Sequence, residues 1–183
     1  MKKKLMTVLA LVLVIALSVA GTYAYLTSQD TVTNTFTVGK VAITLDEAAV
    51  NVDGDPIANA DPVKGNAYKL VPGHEYTKNP TVHFQAKSEA SYLFVKVENG
   101  ISAIEAADNN TIADQIKANG WTALDGVANV YWMKVDANTT EAPIDYHVFA
   151  SFKIADNANT ADYGDAEIVV TAYAEAHNRQ GRK

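Results

Sequence analysis

Cysteine is absent from all 183 residues. Its absence removes disulfides, thiolate nucleophiles and cysteine-ligated zinc together, and leaves stability to core burial alone. Cations are also scarce, with 15 Lys and Arg against 21 Asp and Glu. Nucleic acid and anionic membrane both need clustered positive charge, so neither is expected as a partner. No long apolar run follows residue 19, which excludes a polytopic membrane protein. Missing too are G-x-S-x-G, a phosphate-cradling glycine loop and a dinucleotide fingerprint.

What is present begins with the first 24 residues. Lys2, Lys3 and Lys4 precede an almost unbroken apolar stretch over 5–19, and the small residues Ala20, Gly21, Thr22 and Ala24 follow. That is the layout of a cleaved secretory signal, and its apolar part falls short of the roughly 20 residues a spanning helix needs. Small residues at the −3 and −1 positions permit cleavage after Ala20 or after Ala24. Removing residues 1–24 leaves one domain-sized stretch, 25–183, in which 12 basic residues face 21 acidic ones for a formal charge of −9.

The remainder reads as strands. Residues 34–45 alternate through Phe36, Val38, Val41, Ile43 and Leu45, with Gly39 as a bulge or bend. Residues 46–65 form a loop by composition, or a small hairpin capped at Asp53-Gly54 with Val50, Val52 and Ile57 as its apolar residues. After the Pro72-Gly73 turn, 76–86 alternates through Val82 and Phe84, and Pro80 makes this an edge strand or a strand that starts later. Residues 91–98 alternate with Leu93, Val95 and Val97 on one face and Tyr92, Phe94 and Lys96 on the other, so both faces carry large apolar side chains and the run reads as a central strand. Only 101–120 changes period: Asp108, Asn109 and Asn110 offer N-cap groups, Ile112, Ala113 and Ile116 fall at helical spacing, and Gly120 marks the stop. Strand-like runs at 127–135, 144–154 and 166–176 follow. The expected fold is mainly β: an antiparallel jelly-roll-like β-sandwich with one short helix, preceded by the signal peptide.

Chemistry is thinly represented. The four histidines are His74, His83, His147 and His177, none at helical spacing from another. His74-Glu75 is the nearest approach to HExxH, but it lies beside a turn, where helical geometry cannot aim two imidazoles at one zinc. His74, Glu75 and His83 are therefore the metal candidates, with exposed or hydrogen-bonded structural histidines as the plainer reading. His83 and His147 sit within strands and could face one another across a sheet. Asp53, Asp55 and Asp61 lack the EF-hand order. Tyr92, Phe94, Tyr131, Trp132, Tyr146, Phe149 and Phe152 could make a ligand patch, although strand aromatics are more often core or cross-strand pairs. No catalytic residues and no cofactor are expected.

Three elements together carry a family resemblance: Gly21-Thr22-Tyr23-Ala24-Tyr25, the strand from Phe36 to Ile43, and the Leu70-Val71-Pro72-Gly73 turn ahead of the next strands. In this combination the chain resembles the TasA/camelysin family of secreted biofilm-matrix fibre proteins over roughly residues 15–98. The resemblance implies cleavage between Ala24 and Tyr25 by a signal peptidase of the SipW type. It also implies a jelly-roll-like sandwich, secreted to the extracellular matrix or cell surface, with no membrane attachment after cleavage. Its subunits would form a head-to-tail homopolymer by handing an N-terminal strand to the next copy, with room for a minor anchoring or nucleating matrix protein. The donor strand would be about 25–36, with Tyr25, Leu26, Val32 and Phe36 as its marked residues. Camelysin-type members are also described as metalloendopeptidases, but no recognisable zinc motif receives that role here. A secreted metallopeptidase using His74, Glu75 and His83, and a monomeric surface adhesin with function in loops 46–65 and 136–143, are the alternatives.

Overall fold

The structure is a computed structural model, and it describes residues 40–177. The expected signal cleavage at Ala24 and Tyr25 and the donor-strand residues Leu26, Val32 and Phe36 lie outside them.

Residues 91–99 show how sequence becomes architecture. β4 (Ser91–Asn99) alternates strictly, so Leu93, Val95 and Val97 turn to one side and are 0–4% exposed, while Tyr92, Phe94 and Lys96 stand on the other. It is central, as large apolar side chains on both faces imply, pairing antiparallel with β6 (Val130–Val135) on one side and β9 (Ile168–Ala176) on the other. The two-residue strand β5 (Thr122–Ala123), too short to read in sequence, adds to β6 and completes a four-stranded sheet.

The opposing layer is built on a single long ladder broken once. β2 (Glu75–Thr77) pairs with β8 (Ser151–Lys153), and β3 (Thr81–Phe84) pairs with β7 (Ile144–His147). Both halves share one register, since Thr77 lies opposite Ser151 and Thr81 opposite His147. The break falls at Pro80, which has no N–H to give. Lys78 N still donates to Ala150 O at 3.1 Å and Val148 N to Pro80 O at 2.9 Å, so the two strands stay aligned across it. Pro80 thus delays the strand as expected but does not make it an edge, because β1 (Ile43–Asp46) pairs on the far side of β3.

One helix, α1 (Ile112–Ala118), covers the break. Its N-cap is Thr111, in a reciprocal capping box with Asp114, one residue beyond the expected Asp108-Asn109-Asn110 cluster. Ile112 and Ile116 go into the core. On its other side Gln115 accepts from Ala150 N and Ser151 N and donates to Ser151 O, while Asn119 donates to Val148 O. Backbone groups left over where the ladder is interrupted are thereby paired. Among the described residues no helix is long and apolar enough to cross a membrane.

Between the layers lies one core, in which Tyr76, Phe84, Phe149 and Phe152 from the broken ladder meet Leu93 and Val95 of β4, all at most 2% exposed. The fold is the mainly β, antiparallel sandwich read from the sequence. The 46–65 segment has the anticipated tip at Asp53-Gly54, bridged at Val50 and Pro56, yet only Val50 is buried, and Val52 and Ile57 stay about half exposed.

Candidate functional site

Two edge strands define the most distinctive region. Among the described residues β1 pairs only with β3, and β9 only with β4. These two strands lie side by side, with Cα atoms within 8 Å, yet no ladder joins them. Their inward side chains are Val41, Ile43 and Leu45 near β1, and Ile168, Val170, Ala172 and Ala174 of β9. All seven are only partly buried, in contrast to the closed interiors of β3 and β4. An edge of this kind presents backbone N–H and C=O groups to any strand that can reach them.

Where the strands part, at the end of β1 and the start of β9, a cavity of about 700 Å³ opens. Leu45 and Glu47 line one side, Ile168 and Val170 the other, and Tyr68 and Phe152 also contribute to its lining. Tyr68 is held edge-on to Tyr76 and Phe152, at 5.6 and 5.1 Å between ring centres. Its hydroxyl donates to Thr77 O. Burial, with the Glu47 charge adding to it, pushes the Tyr68 phenol far above its ordinary pKa, so it serves as a neutral donor.

Lys78 and Glu47 form the polar part of the same wall. Their charged atoms are 2.6 Å apart and nearly closed to solvent. Asn66 donates to the second Glu47 oxygen and to Ala48 O, and accepts from Val50 N. A carboxylate, an ammonium and an amide thus satisfy one another, which low dielectric surroundings demand. Nothing in the sequence pattern signalled this pair, whose members are separated by thirty residues that include β2.

The metal candidates do not converge. His74 Nε2 donates to Asp53 O at 2.8 Å, whereas Glu75, next along the chain, accepts from Ser151 Oγ at 2.7 Å. His83 is elsewhere, on the outer face of β3, with Nε2 2.8 Å from Asp46 Oδ1 and Nδ1 2.6 Å from Asp145 Oδ1. Carboxylates on both ring nitrogens call for an imidazolium. Burial works against that charge, but the hydrogen bonds and charges of Asp46 and Asp145 together outweigh it and raise the His83 pKa. His147 does lie on the strand beside His83, but its Nδ1 meets Thr81 Oγ1 at 2.9 Å, so the two imidazoles do not pair. Among the described residues no three His, Asp or Glu side chains gather as a metal site. The set does not fit a zinc centre.

The aromatic residues divide. Phe149 and Phe152 are core, Tyr131 and Tyr146 pack against it, and Tyr92, Phe94 and Trp132 stand on the outer face of the four-stranded sheet. Tyr173 of β9, overlooked because a run of small residues surrounds it, joins them there.

No curated protein and no solved structure matches the chain. The model of one family, described as camelysin metallo-endopeptidase, matches residues 1–119 and so spans the signal-like segment, the β1 edge, the broken ladder's first strand and α1. On that match, and on the motifs at Gly21–Tyr25, Phe36–Ile43 and Leu70–Gly73, the chain belongs to the TasA/camelysin family.

Proposed function

We propose that this protein is an exported structural subunit that assembles head to tail, the segment 25–36 of one copy adding as a strand to the β1/β9 side of the next. The single observation behind this reading is the pair of half-covered edges, whose inward residues Val41, Ile43, Leu45, Val170 and Ala172 are less buried than the rest of the core. In strand addition, main-chain hydrogen bonds supply affinity and alternate side chains fill pockets. Leu26, Val32 and Phe36 supply apolar side chains for that purpose. A contact between two different surfaces of identical subunits does not close on itself and propagates as a filament. The subunit acts at the cell surface or in the extracellular matrix after a SipW-type peptidase cuts between Ala24 and Tyr25.

Electron microscopy of the purified chain lacking residues 1–24 tests this reading, with fibres as the expected result. Further deletion of residues 25–35 leaves folded monomers; fibres from that truncated chain defeat the proposal.

The family description favours a second reading, a metallo-endopeptidase. Metal analysis of folded protein together with a casein cleavage assay separates the two, since bound zinc and proteolysis abolished by chelation would support the peptidase.

A further inference from the structure

The two outer faces of the sandwich differ in kind. On the β1/β3/β7 side and its β2/β8 extension the outward positions hold Thr44, Asp46, His83, Asp145, Glu75 and Ser151, all polar. On the four-stranded side, register places Trp132 of β6 opposite Phe94 of β4, and Phe94 opposite Tyr173 of β9. Three aromatic rings therefore form one row across three neighbouring strands. Tyr92, two residues along β4, buttresses the row edge-on against Trp132 at 5.8 Å and against His177 at 5.0 Å. None of these belongs to the core cluster, and Tyr173 is 58% exposed. Burying large rings is favourable, so rings aligned on an outer sheet face, partly buried at Trp132, Phe94 and Tyr92 and open at Tyr173, mark a surface that meets something.

The neighbours of the row indicate what. On one side it is flanked by Lys134, Tyr92 and Glu175, on the other by Val130, Lys96 and Thr171, so hydrogen-bonding groups border the rings both ways. Lys96 is paired with Glu98 at 2.8 Å, and Lys134 and Glu175 lie on either side of Tyr92, so the charges of this face cancel in a chain that is acidic as a whole. A polyanion would need an excess of cations. An apolar helix or a lipid surface would need a continuous aliphatic surround, whereas beside the rings only Val130 is aliphatic and Lys134, Glu175, Lys96 and Thr171 are polar. What fits is a ligand that is uncharged, carries C–H groups on its flat faces and hydroxyls around its rim, and repeats at the strand spacing of about 4.8 Å. A chain of pyranose sugars has these properties. The negative face of an aromatic ring attracts the polarised C–H bonds of a sugar face, just as it does the edge of another ring.

We propose that the outer face of the four-stranded sheet binds an extended, uncharged polysaccharide, its sugar rings stacked on Trp132, Phe94 and Tyr173 and its hydroxyls reaching Tyr92, Lys134 and Glu175. The site shares β9 with the proposed strand-addition edge but uses the outward side chains of that strand, not its unpaired backbone, and does not require fibre assembly.

Affinity electrophoresis of the purified protein in native gels tests this. The gels contain hydroxyethylcellulose, a mixed-linkage β-glucan, galactomannan or soluble starch, with alginate as the anionic comparison. At least one neutral polymer retards the protein and alginate does not. Trp132→Ala combined with Tyr173→Ala weakens the apparent affinity at least about tenfold, at an unchanged thermal midpoint, while Trp132→Phe retains binding. Should the double variant unfold, Tyr173→Ser at the most exposed ring carries the comparison, with a loss of severalfold expected. Trp121 is buried, so a change in tryptophan emission on adding the retarding polymer reports on Trp132. Absence of retardation by all four neutral polymers, equal retardation of wild type and variants, or preference for alginate overturns the proposal. So does a change in oligomeric size without a change in retardation, because the row would then be a contact between copies of the chain.

Discussion

The carboxylate of Glu47 and the ammonium of Lys78 meet at 2.6 Å with almost no access to water. Removing one partner strands the other charge in a low dielectric, whereas replacing both by apolar residues of similar size does not. Lys78→Met alone should cost about 3–5 kcal/mol, and Glu47→Leu with Lys78→Met much less than the two single costs together. Urea unfolding of the four proteins in the cycle measures this; additive single costs would refute the coupling.

His83 ties β1, β3 and β7 together on their outer face through Asp46 and Asp145. Its pKa is higher folded than unfolded, although burial acts against the charge. The stability it contributes is therefore complete below the unfolded histidine value of about 6.5 and is lost as pH rises through the folded pKa. Thermal midpoints between pH 6 and pH 9 should fall more steeply for wild type than for His83→Gln. Parallel profiles would show that the bridge contributes no pH dependence.

Gly54 lies at φ +84°, and a Cβ there would stand 2.8 Å from Tyr76 Cα, part of the core's backbone. Both the left-handed geometry and the close approach exclude a side chain. Gly54→Ala should destabilise by more than about 1 kcal/mol, read as a lower denaturant midpoint at unchanged slope.

Gln115 bridges α1 to the strand break by accepting from Ala150 N and Ser151 N. Gln115→Ala should cost about 1–3 kcal/mol and speed amide exchange at Ala150 and Ser151 before other strand positions. Exchange unchanged at these two amides would mean that the helix does not secure the break.

The β9 edge can be probed by direction. Ala172 faces inward beside Val95, while Thr171 faces outward beside Lys96. Ala172→Lys should abolish fibre formation in a chain that still folds, and Thr171→Lys should leave it intact. Normal fibres from a folded Ala172→Lys protein would move the strand-addition site away from β9.

Legibility tracked the range of the signal. β4 was readable because nine residues alternate without interruption, and α1 because Ile112 and Ile116 repeat at helical spacing before Gly120. The run at 144–154 reads as one strand, yet Val148 and Phe149 both turn inward where the partner carries Pro80. Alternation cannot reveal an interruption imposed by another strand. Tyr173 escaped notice for the same reason: Ala172 and Ala174 say which face it takes, but only pairing with β4 places it beside Phe94 and Trp132.

By itself the sequence determined the β class, the direction in which each side chain of β4 and β9 points, the helix, the signal-like start and the family. Those properties arise within a few residues of one another, through period, capping and short motifs. Tertiary structure alone decided that Lys78 closes on Glu47, that His83 is clasped by carboxylates from both neighbouring strands, and that β1 and β9 end up as adjacent, half-covered edges. Each depends on which strands pair and in what register, and that choice is made by the shared core rather than by any local stretch of chain.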